Sequence, residues 1–527
     1  MKKPDIILIV LDTQRADRLG AYGYQRSLTP NLDKFAAASA LFTQAVSPAQ
    51  WTIPSHASLF TGLYPTVHQV TQSTHSLNPE MPHLVEMMQA AGYETVGFCN
   101  NPLVGILNNG FKRGFDTFYN YGGAIPSVPE SSARLPWPFN KLLARYTQFL
   151  RRISYPIQNF FGQSDLAFRI SLHAWLTPLW SRFANFKGQN ERSVRDVTHF
   201  LQERERQPAQ RPLFLFLNLM ETHMPFWPPG EFIDQVAPYL RHNKEARTIM
   251  RTWNREAYRW AAPLEEPLSE LEQQVLSDLY DAEVAYQDHY LGQLLAMIDG
   301  RHHHHNTLTL IVADHGDGLG EHGYMGHAFA AYEELVHVPL ILHWPDRIKP
   351  GQVTTPVSTR RVFHTLLDAA GQQPDAPTNN PAEIRALTLL QTIYGRDPER
   401  HTAFSEIYPP LNFVKAIERR QAHLLAQRRC LSMRRAVVKT DETAATLKLI
   451  QVDDQVDELF DLENDPAEMH NLLAERPSHA DALTQDLNRL AANAERQRLA
   501  VGNGRAIETE IDESLMQRLR ALGYVDY

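Results

Sequence analysis

Residues 4–13 read PDIILIVLDT, and they contain six consecutive apolar residues, 6–11, that end at the carboxylate of Asp12. An apolar run without alternation is typical of a strand that is buried on both faces of a parallel sheet. Four further runs share this character, at residues 95–99, 213–219, 308–313 and 340–343. We therefore predict that all five runs are parallel strands of one buried sheet.

Helical patterns lie between these apolar runs. Thr29-Pro30 is predicted to open one helix, with Thr29 as its cap, because proline is favoured in the first turn. Residues 83–91 form a second pattern, which Gly92 closes, and a third runs from 269 to 298 with apolar residues every three or four positions. Strands that alternate with helices predict a doubly wound α/β sheet.

The composition excludes several classes of protein. The 527 residues include 51 Lys and Arg and 60 Asp and Glu, a net charge of −9, which argues against nucleic-acid binding because phosphate backbones select basic faces. Only Cys99 and Cys430 are present, so no disulfide framework is needed and a reducing compartment fits. We expect both cysteines to be buried and without a catalytic role.

The N-terminus does not have the pattern of a targeting signal. Lys2 and Lys3 precede only six apolar residues, which are too few for the core of a signal peptide, and no small-residue cleavage site follows. No stretch elsewhere approaches the ~20 apolar residues of a membrane-spanning helix. We therefore expect a cytoplasmic protein.

Composition divides the chain into three parts. We predict a catalytic α/β domain over residues 1–372, a connector rich in Pro, Asn and Asp over 373–400, and a smaller α+β domain over 401–527. The last domain contains three short runs that are typical of antiparallel strands. They lie at residues 436–440, 447–452 and 458–462.

An insertion at residues 121–187 interrupts the alternation of strands and helices. It is rich in Pro and aromatic residues, and between 134 and 187 it has eight Lys and Arg against the single Asp165. A basic amphipathic helix within it suggests peripheral contact with a membrane surface through 134–187. An inserted subdomain whose basic face is solvated is the simpler alternative.

Charged and polar side chains follow three of the predicted strands. Asp12 ends the first strand, Glu221 and His223 follow the third, and Asp314 and His315 follow the fourth. Because functional groups collect at the carboxyl ends of parallel strands, we expect these side chains to meet in one crevice. Asp12, Asp314 and His315 form a mixed oxygen and nitrogen set that suits Mn²⁺, Mg²⁺ or Zn²⁺, whereas Ca²⁺ favours more oxygen ligands. Each Asp alone could instead cap the helix after its strand.

The run of four histidines from His302 to His305 lies between the predicted helix at 269–298 and the predicted strand at 308–313. A polar run between two elements is typical of an exposed loop, which is the interpretation we favour. Metal binding is the alternative, because histidine-rich tracts can supply imidazole ligands.

Residues 51–62 read WTIPSHASLFTG. Pro54 is placed to begin a helix that Gly62 ends, which leaves Thr52 at the positive N-terminal end of that helix, where a phosphate or sulfate group is stabilised. A free threonine hydroxyl is a poor nucleophile, but coordination to a divalent cation favours its alkoxide. The alternative is that Thr52 only caps the helix.

Together these motifs resemble the sulfatase family of the alkaline phosphatase superfamily, in the family's order, from residue 4 to about 473. The matching segments are PDIILIVLDTQRAD at 4–17, TPNLD at 29–33, PSHASLFTG at 54–62, THMPF at 222–226, ADHGD at 313–317, LGEHG at 319–323, residues 333–341, LFDLENDP at 459–466 and NL at 471–472. The resemblance implies an alkaline-phosphatase-like, doubly wound, mostly parallel sheet with a smaller C-terminal α+β domain.

The resemblance places the family's metal ligands on Asp12, Asp314 and His315, with Thr13 where many members have a second Asp. The nucleophile position falls on Thr52, which would also contact the metal. Typical sulfatases have Cys or Ser there, which is oxidised to formylglycine, and Thr52 cannot be converted by that route. The chain is therefore similar to the superfamily's Thr-nucleophile phosphotransferases and phosphodiesterases, including phosphoglycerol transferases of the lipoteichoic-acid type.

Three histidines fall on other functional positions of the family. His223 matches the histidine that contacts the oxygens of the transferred group, His327 matches a position often held by Lys, and His56 replaces the Arg of the formylglycine signature. Asn100 falls on a further Lys position. His223, His327 or His56 could act as a general base near neutral pH.

The resemblance implies one divalent metal ion (Mn, Mg, Zn or Ca) and a small-molecule or lipid-linked anionic ester as substrate. We expect a metal-dependent hydrolase or transferase that acts on a sulfuric or phosphoric ester through Thr52. A phosphodiester or phosphonate ester is favoured, because formylglycine and two cationic groups are absent. The alternatives are an arylsulfatase-like sulfuric ester hydrolase and an inactive family member that binds an anion.

Overall fold

The computed structural model describes residues 3–121, 189–207, 211–372, 381–441, 443–501 and 507–508. The basic helix and the membrane contact predicted for 134–187 therefore lie outside the described residues, as do residues 373–380 of the predicted connector. No helix in the described ranges is both long enough and apolar enough to cross a lipid bilayer.

The catalytic domain is built on an eight-stranded sheet. Its strands, in chain order, are β1 (Asp5–Leu11), β2 (Ala40–Phe42), β3 (Glu94–Cys99), β4 (Thr117–Asn120), β5 (Leu213–Leu219), β6 (Thr307–Ala313), β7 (Leu340–His343) and β8 (Gly351–Val353). They lie side by side in the order β8-β2-β7-β6-β1-β5-β3-β4. Successive residues of β1 point to opposite faces, and all of them from Ile6 to Leu11 are buried, so both faces are covered. The predicted mostly parallel α/β sheet is confirmed.

The direction predicted for residues 340–343 is wrong. β7 pairs antiparallel with both of its neighbours, β6 and β2, whereas the other strand pairs of the sheet are parallel. Residues 314–339 contain no long crossover helix, so the chain re-enters the sheet from the edge at which β6 ends. The continuous apolar run correctly indicated burial, but burial does not determine strand direction.

The principal helices of the catalytic domain are α1 (Pro30–Ala37), α2 (Thr52–Thr61), α3 (Leu84–Ala90), α4 (Gln189–Glu205), α5 (Lys244–Arg255), α6 (Glu270–Asp299) and α7 (Arg361–Ala369). Short helices occupy Pro65–His68, Pro102–Gly105, Gly230–Val236, Glu333–Val336, Pro381–Leu387 and Leu389–Ile393. α6 begins with a capping box formed by Ser269 and Glu272. Thr29 precedes α1 as predicted, but its hydroxyl donates to Asp33 Oδ1 (2.9 Å) and accepts no hydrogen bond from the first turn, so the predicted cap is wrong.

The C-terminal domain is a four-stranded antiparallel sheet with two long helices. Its strands β9 (Thr402–Ile407), β10 (Arg434–Thr440), β11 (Thr446–Val452) and β12 (Gln455–Asp461) lie in sequential order. Its helices are α8 (Leu411–Gln427) and α9 (Pro477–Ala500). Leu483 and Leu487 of α9 pack on one face of the sheet, and Leu335 and Val336 of the catalytic domain pack on the other. The smaller antiparallel domain is confirmed, although the sequence did not predict β9.

Two-residue strands pair locally around this framework: Ala45–Val46 with Val357–Ser358, Gly318–Leu319 with Met325–Gly326, and His75–Ser76 with Ile507–Glu508. Cys99 and Cys430 are free and buried, as predicted. His302, His303 and His305 are exposed. Within the described residues, the histidine run belongs to no group of three potential metal ligands.

Candidate active site and metal centre

The ends of two neighbouring strands bring together the three residues that the sequence predicts as metal ligands. β1 and β6 are parallel, with Leu11 in register with Ala313, so Asp12 and Asp314 follow side by side at the same edge of the sheet. Asp12, Asp314 and His315 are fully buried, and one ligand atom from each lies within 4.8 Å of the others. The edge of the sheet therefore presents two oxygens and one nitrogen to a single point.

The two carboxylates share one arrangement, in which one oxygen accepts hydrogen bonds from the protein and the other accepts none from the residues that the structure describes. Asp12 Oδ2 accepts hydrogen bonds from Asn101 Nδ2 (2.6 Å) and Asn218 Nδ2 (3.2 Å). Asp314 Oδ1 accepts from the backbone N–H groups of Thr13 (3.2 Å) and His315 (2.9 Å). Asp12 Oδ1 and Asp314 Oδ2 are buried and have no hydrogen-bond partner among the described residues. Such oxygens are costly unless a cation neutralises them.

The imidazole of His315 is oriented by its own backbone neighbour. Its Nδ1 lies 2.8 Å from the carbonyl oxygen of Gly316, which can only accept, so Nδ1 carries the proton and Nε2 presents a lone pair. That Nε2 lies 3.4 Å from Asp314 Oδ2 and 3.3 Å from Thr52 Oγ1. A neutral imidazole whose second nitrogen is fixed in this way has the form of a metal ligand.

These groups fit a divalent cation. Without one, burial and then the charge of Asp314 raise the pKa of Asp12 to about 7. Burial also works against the ionised form of Asp314, but the neighbouring His315 and His56 outweigh it and lower the pKa of Asp314 to about 2. A cation between the two carboxylates would remove their repulsion, and the mixed donor set suits Mn²⁺, Mg²⁺ or Zn²⁺.

Thr52 lies at the first position of α2, beside this group. The residue in the cap position is Trp51, and no side chain caps the helix there, so the interpretation of Thr52 as a cap is wrong. Pro54 is the third residue of the helix rather than its first. Thr52 Oγ1 lies 3.3 Å from His315 Nε2 and 3.4 Å from Asn101 Nδ2. The hydroxyl is therefore directed at the predicted metal centre.

His223 and His327 stand on another side of His315. The ring centroids of His315 and His327 are 4.6 Å apart, and those of His223 and His327 are 5.1 Å apart. His327 Nδ1 lies 2.8 Å from Asp317 Oδ1, and His223 Nδ1 lies 2.7 Å from the carbonyl oxygen of Met224. Burial would lower the pKa of His327, but Asp317 outweighs it and the pKa is raised. Two imidazoles with fixed orientations thus flank the centre.

The model of the sulfatase family matches residues 4–372. The chain belongs to the sulfatase family. It is 24% identical over 478 residues to the uncharacterized sulfatase YidJ of Escherichia coli K12, covering 90% of this chain and 84% of that protein. It is also 24% identical to an arylsulfatase of Clostridium perfringens, over 75% of this chain and 79% of that one.

Solved structures of sulfatase-family proteins share the fold. The phosphonate monoester hydrolase of Agrobacterium radiobacter superimposes with a TM-score of 0.63 and 21% identity, covering 93% of this chain and 96% of that one. The phosphonate monoester hydrolase SpPMH of Silicibacter pomeroyi superimposes with a TM-score of 0.60 and 19% identity, over 97% of each chain. The chain is thus a member of a family of ester hydrolases with the alkaline-phosphatase-like fold.

His56, the third histidine predicted as a general base, lies beside Asp314. One turn after Thr52 in α2, its Nδ1 is 3.0 Å from the carbonyl oxygen of Thr52 and 3.3 Å from Asp314 Oδ2. Its Nε2 is buried without a hydrogen-bond partner among the described residues, and the ring packs against Phe60 and Phe216. This position places His56 Nδ1 beside Asp314, and the predicted role of His56 as a general base stays a prediction.

Two other sequence candidates lie at the edge of the site. Asn100 donates from Nδ2 to Asn190 Oδ1 (2.8 Å). Glu221 accepts a hydrogen bond from the backbone N–H of Asn190 (3.1 Å), near the start of α4. Neither residue belongs to the group of potential metal ligands.

Sequence reasoning missed the residues that hold the ligands in place. Asn101 and Asn218 both donate to Asp12, and Asp317 orients His327. A signal for Asn218 was present, because it is the one polar residue of the β5 sequence LFLFLNL. Asn101 follows β3, so it lies at the same edge of the sheet as the metal ligands.

Proposed function

We propose that this sulfatase-family protein hydrolyses a phosphodiester or phosphonate monoester through attack by Thr52 Oγ1 on phosphorus. The observation that carries the proposal is the position of that hydroxyl, 3.3 Å from His315 Nε2 and close to the unpartnered oxygens of two buried carboxylates. Threonine lacks the chemistry that converts Cys or Ser to formylglycine, so its own hydroxyl is the nucleophile available here. The alcohol part is a small-molecule or lipid-linked group.

Asp12, Asp314, His315 and Thr52 are the residues that would hold the divalent cation. When bound there, it supplies positive charge that lowers the pKa of a neighbouring hydroxyl and offsets the negative charge of the transferred group. Mn²⁺, Mg²⁺, Zn²⁺ and Ca²⁺ are the candidates. Asn101 and Asn218 serve the same centre by fixing the orientation of Asp12.

The reaction divides into two displacements. In the first, Thr52 Oγ1, whose proton has passed to solvent, forms a bond to phosphorus while the bond from phosphorus to the leaving alkoxide breaks, and protonated His327 gives that alkoxide its proton. In the second, water attacks phosphorus and Thr52 Oγ1 leaves as the alkoxide that began the cycle, with the now neutral His327 accepting the proton from water. Asp317 supports the protonated form of His327 through the 2.8 Å contact with Nδ1. His223 is placed to contact an oxygen of the transferred group.

The charge of the site supports a substrate that carries a single negative charge. Lys and Arg of typical sulfatases correspond here to His327, His56 and Asn100, so fixed positive charge is reduced. A phosphodiester or a phosphonate monoester carries one negative charge near neutral pH, whereas a phosphate monoester approaches two. Fewer cations therefore weaken the binding of a phosphate monoester most.

A sulfuric ester hydrolase is the second candidate. The match to the sulfatase family over residues 4–372 favours it, as do the relatives that are named sulfatases. A sulfuric monoester also carries one negative charge, so charge alone does not separate it from the phosphorus esters. The absence of formylglycine is the reason to place it second.

The test compares wild type, Thr52→Ala and Thr52→Ser, each loaded with Mn²⁺ and matched for metal content. The four substrates are an aryl sulfate, an aryl phosphate monoester, an aryl phosphodiester and an aryl phosphonate monoester. We expect the highest wild-type kcat/KM on the last two, a loss of about a thousand-fold or more in Thr52→Ala, and partial retention in Thr52→Ser. Preference for the aryl sulfate would establish the second candidate. No turnover of any substrate by metal-loaded wild type would indicate an inactive anion-binding protein.

A further inference from the structure

A cavity of about 460 Å³ lies outside the active site, between residues 324–332 of the catalytic domain and the C-terminal domain. Two tyrosines, three arginines and two carboxylates are among the residues that line it. The segment 324–332 also carries His327, but neither His327 nor any proposed metal ligand lines the cavity. The cavity is therefore a polar site separate from the active site, at the boundary between residues 324–332 and the C-terminal domain.

The two carboxylates of the cavity already have partners. Asp457 forms an ion pair with Arg429, which also donates to the carbonyl oxygen of Val452 (3.0 Å). Both carboxylate oxygens of Glu458 accept from the hydroxyl of Tyr332, at 3.0 Å. One of the three arginines, Arg429, is therefore neutralised by the protein itself.

The other two arginines have no such partner. In the part of the chain that the structure describes, neither Arg428 nor Arg434 forms an ion pair with a carboxylate. Arg434 is only 6% exposed, and it donates to the carbonyl oxygens of Ser432 (3.1 Å) and Arg428 (2.9 Å). Arg428 donates from Nη2 to the carbonyl oxygen of Leu264 (3.1 Å), while its Nε is buried and has no acceptor among the described residues.

Backbone carbonyls do not balance two guanidinium charges. A carbonyl oxygen carries only a partial charge, and a buried ion without a counter-charge is unfavourable. Arg428 and Arg434 both line this one cavity. Guanidinium groups bind oxyanions through charge-assisted hydrogen bonds, so an oxyanion in the cavity would supply the missing negative charge.

We propose that this cavity is an anion-binding site, in which Arg428 and Arg434 bind the oxyanion of a sulfate or phosphate group. A volume of about 460 Å³ exceeds what one inorganic oxyanion fills, so the site also accommodates an organic body attached to the anionic group. The anion has two possible sources. It is either a free inorganic ion or the charged group of a larger ester or sulfated sugar.

The test measures binding by calorimetry in full-length Thr52→Ala, treated with EDTA to keep the active site free of metal. The probes are sodium sulfate, sodium phosphate and glucose 6-sulfate, at an ionic strength held constant with chloride. We expect saturable binding that weakens about tenfold or more in Arg428→Gln and in Arg434→Gln. The matched control is the double variant Arg429→Gln/Asp457→Asn, which removes both members of an existing ion pair and leaves the net charge of the cavity unchanged, so it should retain wild-type affinity. Tighter binding of glucose 6-sulfate than of sulfate would indicate that the natural ligand is a larger molecule that carries the anionic group. Equal binding of the two would indicate that it is a free inorganic ion.

A second measurement uses only the wild-type protein, so its result does not depend on whether the variants fold. Sulfate should slow the modification of Arg428 by phenylglyoxal, followed by peptide mass spectrometry, while chloride at equal ionic strength should not. Absence of saturable binding of all three anions would overturn the proposal. So would equal affinity in Arg428→Gln, Arg434→Gln and the double control variant, since the anion would then bind elsewhere. The failure of the proposed phosphoester hydrolysis would leave this result unaffected, because Thr52 is absent from the binding assay.

Discussion

Replacement of Asn101 by Ser should weaken metal binding without disturbing the fold. Asn101 Nδ2 donates the shorter of the two side-chain hydrogen bonds to Asp12 Oδ2, at 2.6 Å. Asn101 is also the cap of the helix Pro102–Gly105, where its Oδ1 accepts from the N–H of Leu103 (2.8 Å). Serine is an equally good cap but is too short to reach Asp12, so Asn101→Ser separates the two roles.

The magnitude follows from the loss of one hydrogen bond to a carboxylate. Such a bond contributes about 1.5–3 kcal/mol. At about 1.4 kcal/mol for each tenfold change, the dissociation constant for Mn²⁺ should rise about 10- to 100-fold. The loss of groups that orient metal ligands has effects of this size, typically about 10- to 100-fold.

The assay is a competition titration of Mn²⁺ against a chelator of known affinity, with wild type, Asn101→Ser and Asn100→Ala. Asn100 is the matched control, because it is the adjacent buried asparagine and it donates to Asn190 instead of Asp12. The control should bind Mn²⁺ as wild type does. Equal Mn²⁺ affinity in Asn101→Ser and wild type would refute the conclusion that Asp12 is a metal ligand held by Asn101.

Three further predictions concern stability. Lys448→Met should lower the free energy of unfolding by about 3–5 kcal/mol, because it removes the ammonium group that pairs with the buried carboxylate of Glu468 (2.8 Å) and the partly buried carboxylate of Glu333 (2.9 Å). His322 should stabilise the protein fully below pH about 6.5 and lose this effect as pH rises through about 9, because Glu334 and the carbonyl of Glu468 raise its pKa to about 9 against the effect of burial. Removal of metal with EDTA should lower Tm, since the cation offsets the repulsion of two buried carboxylates.

Control measurements distinguish these specific effects on stability from a general loss of stability. Lys439→Met removes a more exposed pair with Asp486 and should cost no more than about 1 kcal/mol in urea denaturation. A comparable loss in both lysine variants would contradict the special role of burial. The difference in stability between wild type and His322→Gln should narrow from pH 6.5 to 9, and a constant difference would count against a charged His322. An unchanged Tm after verified metal removal would contradict the metal centre.

The buried strands could be predicted because their sequences report burial directly. β5 and β7 have the predicted bounds, and β1, β3 and β6 each begin one residue earlier than predicted. The direction of β7 could not be predicted, because direction depends on the path of the chain between strands. β2 and β8 have three residues each, which is too few for a periodic signal.

In the candidate site, too, some residues could be predicted from the sequence and others could not. Asp12, Asp314 and His315 were predictable, since each follows a buried strand and parallel strands end at one edge. The contributions of Asn101 and Asn218 depend on β3, β5 and β1 being adjacent, which the chain order does not reveal. The position of His56 depends on how α2 packs in the fold. This packing places the His56 ring next to Asp314 and a cluster of aromatic rings.

The central claim is that Thr52 is the nucleophile, and a trapped intermediate tests it most directly. Mn²⁺-loaded wild type is mixed with an aryl phosphonate monoester, quenched in acid during turnover and analysed by peptide mass spectrometry. The account predicts a phosphonyl group on the peptide that contains Thr52, assigned to Thr52 by fragmentation and absent from Thr52→Ala. An unmodified Thr52 peptide during turnover, together with wild-type rates in Thr52→Ala, would contradict the account.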